Sequence, residues 1–447
     1  MPEAKPIRKS EEKKVLLPEE NKTLFCEYES VIKSLEGKFN PVWDDEFTDL
    51  VNFKKNKSLP IHRWFDYKEG YSEDLVNKLL DYAKVKKGAL VLDPFVGVGT
   101  TLVVAQSRGL KSIGLDINPV ASFASKVKTA VYSDKEIVEL KKTLNNINNH
   151  LIRTKNIPKF SRLESIFTKK QLEQILSIKG FYESIPSEKI AGIFKLAYLS
   201  IIEDVSNRVK DGNGIKISKT KTQIEDVIGR YTLKVKSMIE DIEGNNCKGE
   251  SIVIHGSILE DSVFKKISNE KVSTTIFSPP YANCFDYCEV YKMEIWLGDF
   301  VKEYSDFTKY REKAIRSHVN SKFSHDLMRT NQEIRVISEL IGTYNLWNKK
   351  IPMMLRGYFD DMEETLSRIS SMSLPGATCS IVVANSVYKG VVVPTDLLLA
   401  DIAEHHGFKV DKIIVARRIR SSSQQMTEVG KNSKLMRESI IILRKND

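Results

Sequence analysis

Ala89-Leu90-Val91-Leu92-Asp93, followed by Pro94-Phe95-Val96-Gly97-Val98-Gly99-Thr100, constrains this chain more than any other stretch, because a short apolar run that stops at two glycines has few ways to continue. Residues 89–93 are apolar enough for a buried strand, Thr100 to Arg108 has a helical pattern, and Lys111 to Leu115 reads as a second strand. Strand, glycine loop, helix and strand in that order open a parallel α/β sheet with helices on both faces. Gly97 and Gly99 let the backbone turn sharply and approach a ligand, with helix N–H groups exposed beyond them. A dinucleotide fingerprint needs a third glycine at position 102, where Leu102 stands, and no Gly-Lys-Ser/Thr follows. A ligand without a pyrophosphate is therefore favoured, and a P-loop is excluded. Asp116, in Gly114-Leu115-Asp116-Ile117-Asn118-Pro119 at the end of the second strand, is positioned to accept both hydroxyls of a ribose.

A second punctuated strand lies far downstream. Val272 to Phe277 is β-branched and apolar, and Pro279 must stop it because proline offers no N–H to a ladder. Ser278-Pro279-Pro280-Tyr281 is then a rigid ledge at a sheet edge. Such a ledge suits a flat amino-bearing ring, and the competing reading is an ordinary strand-ending loop.

The chain of 447 residues is long enough for two or three units, and 41% apolar with 29% charged residues describes a globular protein. No apolar run approaches the roughly 18 residues of a membrane helix. Met1 to Lys22 is rich in lysine and glutamate without an apolar core, so a mobile tail is expected there rather than a secretory signal. Five scattered cysteines, Cys26, Cys247, Cys284, Cys288 and Cys379, fit reduced thiols in the cytoplasm. Cys284 and Cys288 have a loose zinc-like spacing but no second ligand pair, so no metal is expected. The formal charge of +10 favours a polyanionic partner.

The glycine loop, Asp93 and Asp116 resemble the S-adenosylmethionine site of the Rossmann-like methyltransferases, and with Ser278-Pro279-Pro280-Tyr281 they resemble the DNA amino-methyltransferases. The resemblance implies a Rossmann-like methyltransferase sheet with largely helical insertions that form a target-recognition region. It implies S-adenosylmethionine as cofactor, with Asp93 facing its ammonium and Pro94, Phe95, Gly97, Gly99, Thr100 and Asp116 around it. Ser257 and Ile258, after the strand Ser251 to His255, fall where such enzymes contact adenine, though a plain turn is the other reading. Ile61 to Ser72 falls where the family has its cofactor-covering segment, which singles out Tyr71 and Ser72 or, alternatively, a docking loop. Ser278, Pro279, Pro280 and Tyr281 would hold the exocyclic amine of a flipped base in double-stranded DNA. Serine at the first place is commoner in N4-cytosine enzymes and aspartate in N6-adenine ones. Asp286, Tyr287 and Glu289 follow the ledge as further residues to test, or as capping acids of a helix.

The resulting organisation is an N-terminal arm over 1–60, catalytic segments over 61–127, 250–283 and 351–447, a helical insertion over 128–249 and a second insertion over 284–350. Either insertion is a candidate reader of DNA. Arg208, Lys210, Arg311, Arg316, Arg417 and Arg418, the last two in a basic loop with Arg420 and Ser421 to Gln425, are candidate DNA contacts. The expected activity is site-specific methylation within a restriction-modification system with a cognate endonuclease. The rivals are an N6-adenine or RNA methyltransferase and a catalytically inactive nucleic-acid-binding module.

Overall fold

The computed structural model describes residues 19–160, 163–212, 214–245, 249–323, 331–419 and 430–447. Eight strands form one sheet: β1 (Val42–Trp43), β2 (Leu90–Asp93), β3 (Lys111–Asp116), β4 (Ser251–His255), β5 (Val272–Phe277), β6 (Ser373–Ala384), β7 (Phe408–Arg418) and β8 (Arg437–Lys445). Their spatial order is β1-β7-β8-β6-β5-β2-β3-β4. The pairs β6–β5, β5–β2, β2–β3 and β3–β4 are parallel, and β8 runs antiparallel between β6 and β7. This is a Rossmann-like, mostly parallel sheet, with its order reversing between β2 and β5. At such a switch point the loops after adjacent strands diverge to opposite sides and leave a crevice at the carboxyl edge.

Both faces are covered, which explains why the strands read as continuous apolar runs rather than alternating ones. Val91, Ile276, Val382, Ile440 and Ile442 face a core shared with Leu75, Leu79 and Leu80 of the helix Glu73–Ala83. Their neighbours Leu92, Phe277, Ile381, Val383, Ile441 and Leu443 face a core shared with the helices Ile351–Met372 and Thr395–His405.

A third core joins the two interruptions of the sheet. The helices Asp134–Asn145, Lys169–Glu183, Glu188–Val205 and Val227–Glu243 pack with Trp64, Phe65 and Tyr67 ahead of the glycine loop, and with Tyr291, Ile295 and Trp296 after the ledge. Arg208 and Lys210 stand on an antiparallel hairpin, Arg208–Asp211 with Gly214–Ile217. Residues 24–60 have more order than a lead-in arm. The helix Glu19–Phe39 is tied to the far end of the chain through Tyr28 Oη to the Val392 carbonyl (3.1 Å) and Arg437 to Glu36 (2.8 Å). Of the expected tail only Glu19 to Lys22 lie among the described residues, and they begin that helix. Cys247, Arg420 and Ser421 to Gln425 lie outside the described residues. No helix among the described residues is long and apolar enough to cross a membrane.

Candidate active site

The carboxyl ends of β2, β3, β4 and β5 bring Asp93, Asp116, His255 and Phe277 to one edge of the sheet. Above the switch point lies a cavity of about 1030 Å³, counted to its open mouth, lined by Pro94, Phe95, Gly97, Thr100, Asp116, Ser257 and Ser278 among others.

The glycine loop is shaped by the acids beneath it. Gly97 has φ +50° and donates its N–H to Asp116 Oδ2 at 2.9 Å, while the Asn118 N–H reaches Asp116 Oδ1 at 2.7 Å. Gly99 has φ +87°, and a Cβ there would stand 2.4 Å from Ser125 Oγ, so its role is to let the loop pack against the helix Pro119–Lys128. It does not line the cavity. Burial pushes the Asp116 carboxyl up to about 6 against the pull of those two N–H donors. Asp93 is 1% exposed and accepts from the Phe95 N–H (3.1 Å) and Tyr71 Oη (3.0 Å). Burial pushes its carboxyl up to about 7, opposed by Thr101, Phe95 and Tyr71 and reinforced by the charge of Asp116.

Of the two residues singled out in the segment before the loop, Tyr71 lines the cavity and Ser72 does not. Ser72 is fully buried and caps the helix Glu73–Ala83 through its hydroxyl and the Leu75 N–H (3.2 Å). Tyr67, Glu69 and Gly70 of the same segment also line the cavity. Their signal in the sequence was the aromatic run Trp64-Phe65-Asp66-Tyr67. Tyr67 stacks on Tyr291 with centroids 5.2 Å apart, and Glu69 accepts from Tyr291 Oη at 2.6 Å. Ser257 lines the cavity, whereas Ile258 is wholly in the core.

The second interruption closes the cavity from the opposite side with Asp286, Tyr287, Cys288, Tyr310, Arg311, Ser317 and His318. Arg311 is clamped by Asp286 (2.8 Å) and Glu289 (2.8 Å), so it is a wall of this cavity and not a free phosphate contact. Arg316 is held by both oxygens of Asp361, at 3.0 and 2.7 Å. Lys210, 6% exposed along its side chain, donates to the buried Glu294 at 2.5 Å. Neither presents its charge to an exposed phosphate. Arg208 stays partly exposed and Arg418 exposed, the latter stacked over Trp43 at 5.4 Å.

A second cavity of about 650 Å³ opens on the other side of the ledge, lined by Lys68, Tyr281, Asn283, Phe285, Arg417 and Glu438. Glu69, Gly70, Tyr71, Ser278 and Tyr287 line both cavities. Ser278 is therefore the residue of the ledge that both chambers share, in a common wall with Glu69, Gly70, Tyr71 and Tyr287. Pro280 lines the first chamber, and the buried Pro279 lines neither.

Two buried polar atoms of residues that line the first chamber, Asn118 Nδ2 and His318 Nδ1, have no partner among the described residues. With Asp116 on the wall, they make the chamber a fit for S-adenosylmethionine, whose ribose hydroxyls and purine can satisfy them. Asp93, expected to face the ammonium, does not line the chamber and borders it only through Tyr71.

Residues 5–126 match the family model for DNA methylases, N6_N4_Mtase. The chain is 28% identical over 453 residues to the Type II methyltransferase M.BsoBI of Geobacillus stearothermophilus, covering 89% of this chain and 88% of that protein. It is 27% identical over 464 residues to the Type II methyltransferase M.AvaI of Nostoc sp. strain PCC 7120, covering 92% and 94%. The rRNA methyltransferase aviRa of Streptomyces viridochromogenes superposes over 88% of this chain and 92% of its own with 7% identity and a TM-score of 0.30, too loosely to bear on fold or substrate. The family match and the near-full-length relatives support a DNA amino-methyltransferase family for the chain.

Proposed function

We propose that the protein methylates N4 of a flipped cytosine in duplex DNA at a specific site, within a Type II restriction-modification system that includes a cognate endonuclease. The observation that carries this reading is the meeting of two chambers at Ser278, one suited to a nucleoside cofactor and one lined by aromatic and basic side chains. When bound, S-adenosylmethionine supplies an electrophilic methyl group on a positively charged sulfur.

The chain's own residues do the rest by orientation. The amine of cytosine is a poor nucleophile because its lone pair is delocalised into the ring. Acceptance of an amine hydrogen by Ser278 Oγ turns the pair out of plane, toward the first chamber. The prolines that follow hold Ser278 still. Tyr281, Phe285 and Tyr287 offer ring faces for stacking, which offsets the few kcal/mol that base extrusion costs. Lys68 and Arg417 carry N–H donors for the ring acceptors O2 and N3. Serine rather than aspartate at the first place of the ledge supports cytosine over adenine. Arg208 and Arg418 are proposed as contacts to the DNA backbone.

Asp116 binds from the chamber wall in its charged form, and the charge of Asp93, behind Tyr71, favours the cofactor's cation from below. Because a nearby cation favours the carboxylate, S-adenosylmethionine binding draws a proton off Asp93. Affinity measured by calorimetry is expected to rise about tenfold per pH unit between about 6 and about 7, more steeply below 6 where Asp116 is protonated as well, and to level off above 7. An affinity that is flat from mildly acidic to mildly basic pH contradicts that role for Asp93.

The experiment that tests the reading incubates the protein with radiolabelled S-adenosylmethionine and either duplex DNA or RNA. Label is expected in DNA, and label in RNA alone defeats the proposal.

A further inference from the structure

Serine is an ambiguous ledge residue. An aspartate or asparagine oxygen at this place can only accept, but a hydroxyl both donates and accepts, and a hydroxyl that aims its proton at the amine would repel the hydrogens it has to receive. Something must set the direction of the Ser278 hydroxyl, and the chain has a means of doing so at the far end of the ledge.

β8 is antiparallel to its neighbours, so its first residues lie at the carboxyl edge of the sheet, where Glu438 pairs with Ala384 on one side and Arg417 on the other. Glu438 is 3% exposed, and its two oxygens are already assigned. Oε1 accepts from Tyr281 Oη at 2.6 Å, and Oε2 accepts from Arg417 Nε at 2.5 Å. Tyr281 has a single hydroxyl proton. With that proton given to Glu438, Tyr281 Oη is left only to accept, and Ser278 Oγ donates to it at 3.4 Å. Ser278 then turns its lone pairs, not its proton, to the chamber that it lines.

We propose that Glu438 is a positioning residue for methyl transfer, fixing through Tyr281 the polarity of the Ser278 hydroxyl so that it accepts from the substrate amine. This rests on the amine-methylation reading above. Arg417 holds the carboxylate in place, and the direction of the whole chain, from Ser278 to Tyr281 to Glu438, follows from one buried negative charge.

Glu438→Gln makes a sharp test because it keeps the shape and reverses the direction. The guanidinium of Arg417 claims the amide oxygen through a charge-assisted hydrogen bond, which turns the amide NH₂ toward Tyr281. Tyr281 must then donate to Ser278, and Ser278 aims its proton at the amine. The single-turnover rate of DNA methylation is expected to fall on the order of 100-fold, with the KM for DNA and the affinity for S-adenosylmethionine little changed. Tyr281→Phe keeps the ring face but cuts the chain, which frees the Ser278 hydroxyl to rotate, so a smaller loss of about tenfold is expected. The double variant is expected to match Tyr281→Phe and to be faster than Glu438→Gln alone, because no tyrosine hydroxyl remains to be reversed.

A double variant slower than either single one, or a fully active Tyr281→Phe, overturns the inference, and the second result stands even if Glu438→Gln does not fold. A wild-type protein that labels no DNA instead overturns the underlying reading, so the two failures are distinguishable.

Discussion

Ser278→Ala is expected to lower the single-turnover rate of DNA methylation about 100- to 1,000-fold, with thermal stability and S-adenosylmethionine affinity close to those of the wild type. The hydroxyl is half-buried at the junction of the two chambers and carries no charge, so its removal leaves no buried ion and only a small void. What is lost is the acceptor that meets the amine hydrogens. Because that interaction is needed most as the nitrogen becomes tetrahedral, the loss falls on kcat rather than on the KM for either substrate. A variant whose kcat is unchanged while its KM for DNA rises would make Ser278 a binding contact and nothing more.

Asp241→Ala is expected to have the largest effect on stability and to weaken cofactor binding from a distance. Asp241, 6% exposed on the helix Val227–Glu243, accepts from the Ile61 N–H (2.9 Å), Trp64 Nε1 (2.8 Å) and Arg63 through Nε (3.1 Å) and Nη2 (2.5 Å). One carboxylate thus pins the segment that ends in Tyr67, Glu69 and Tyr71 to the helical interruption of the sheet. Truncation strands the buried Ile61 N–H and the Trp64 indole, while the part-exposed Arg63 returns to water. Two orphaned donors cost roughly 3 kcal/mol together. Chemical denaturation should show that loss, and calorimetry should show a weaker cofactor, since Tyr71 is the link between this segment and Asp93. A variant of wild-type stability would mean that the segment is held by its aromatic packing on Tyr291 and not by Asp241.

What was legible in the sequence was whatever depends on near neighbours. The glycine loop, its two acids and the ledge are each local, because turn geometry and the end of a strand are set within a few residues, and the sheet brings them together by the ordinary rules for parallel strands. Contacts across the chain were not legible. Asp241 looks like one more charge on an amphipathic helix, yet its partners are 177 to 180 residues away. Arg311 and Arg316 resembled a basic DNA-binding run, and nothing local shows that Asp286, Glu289 and Asp361 fold back to take their charge. Ser72 and Ile258 fall where the family resemblance places cofactor contacts, but a helix cap and a core side chain do not reach the cavity that their neighbours Tyr71 and Ser257 line. Glu438 lies 157 residues beyond Tyr281 in a strand that reads as plain β pattern, and only the antiparallel insertion of that strand carries it to the ledge.

The central claim is that Ser278 holds a cytosine amine beside the cofactor chamber. Its most direct test is to methylate duplex DNA with the purified protein, digest the product to nucleosides and identify the modified one by mass spectrometry. The account predicts N4-methylcytosine, absent from the Ser278→Ala reaction. N6-methyladenine as the sole product would contradict the assignment of the base, and the absence of any methylated nucleoside would contradict the site itself.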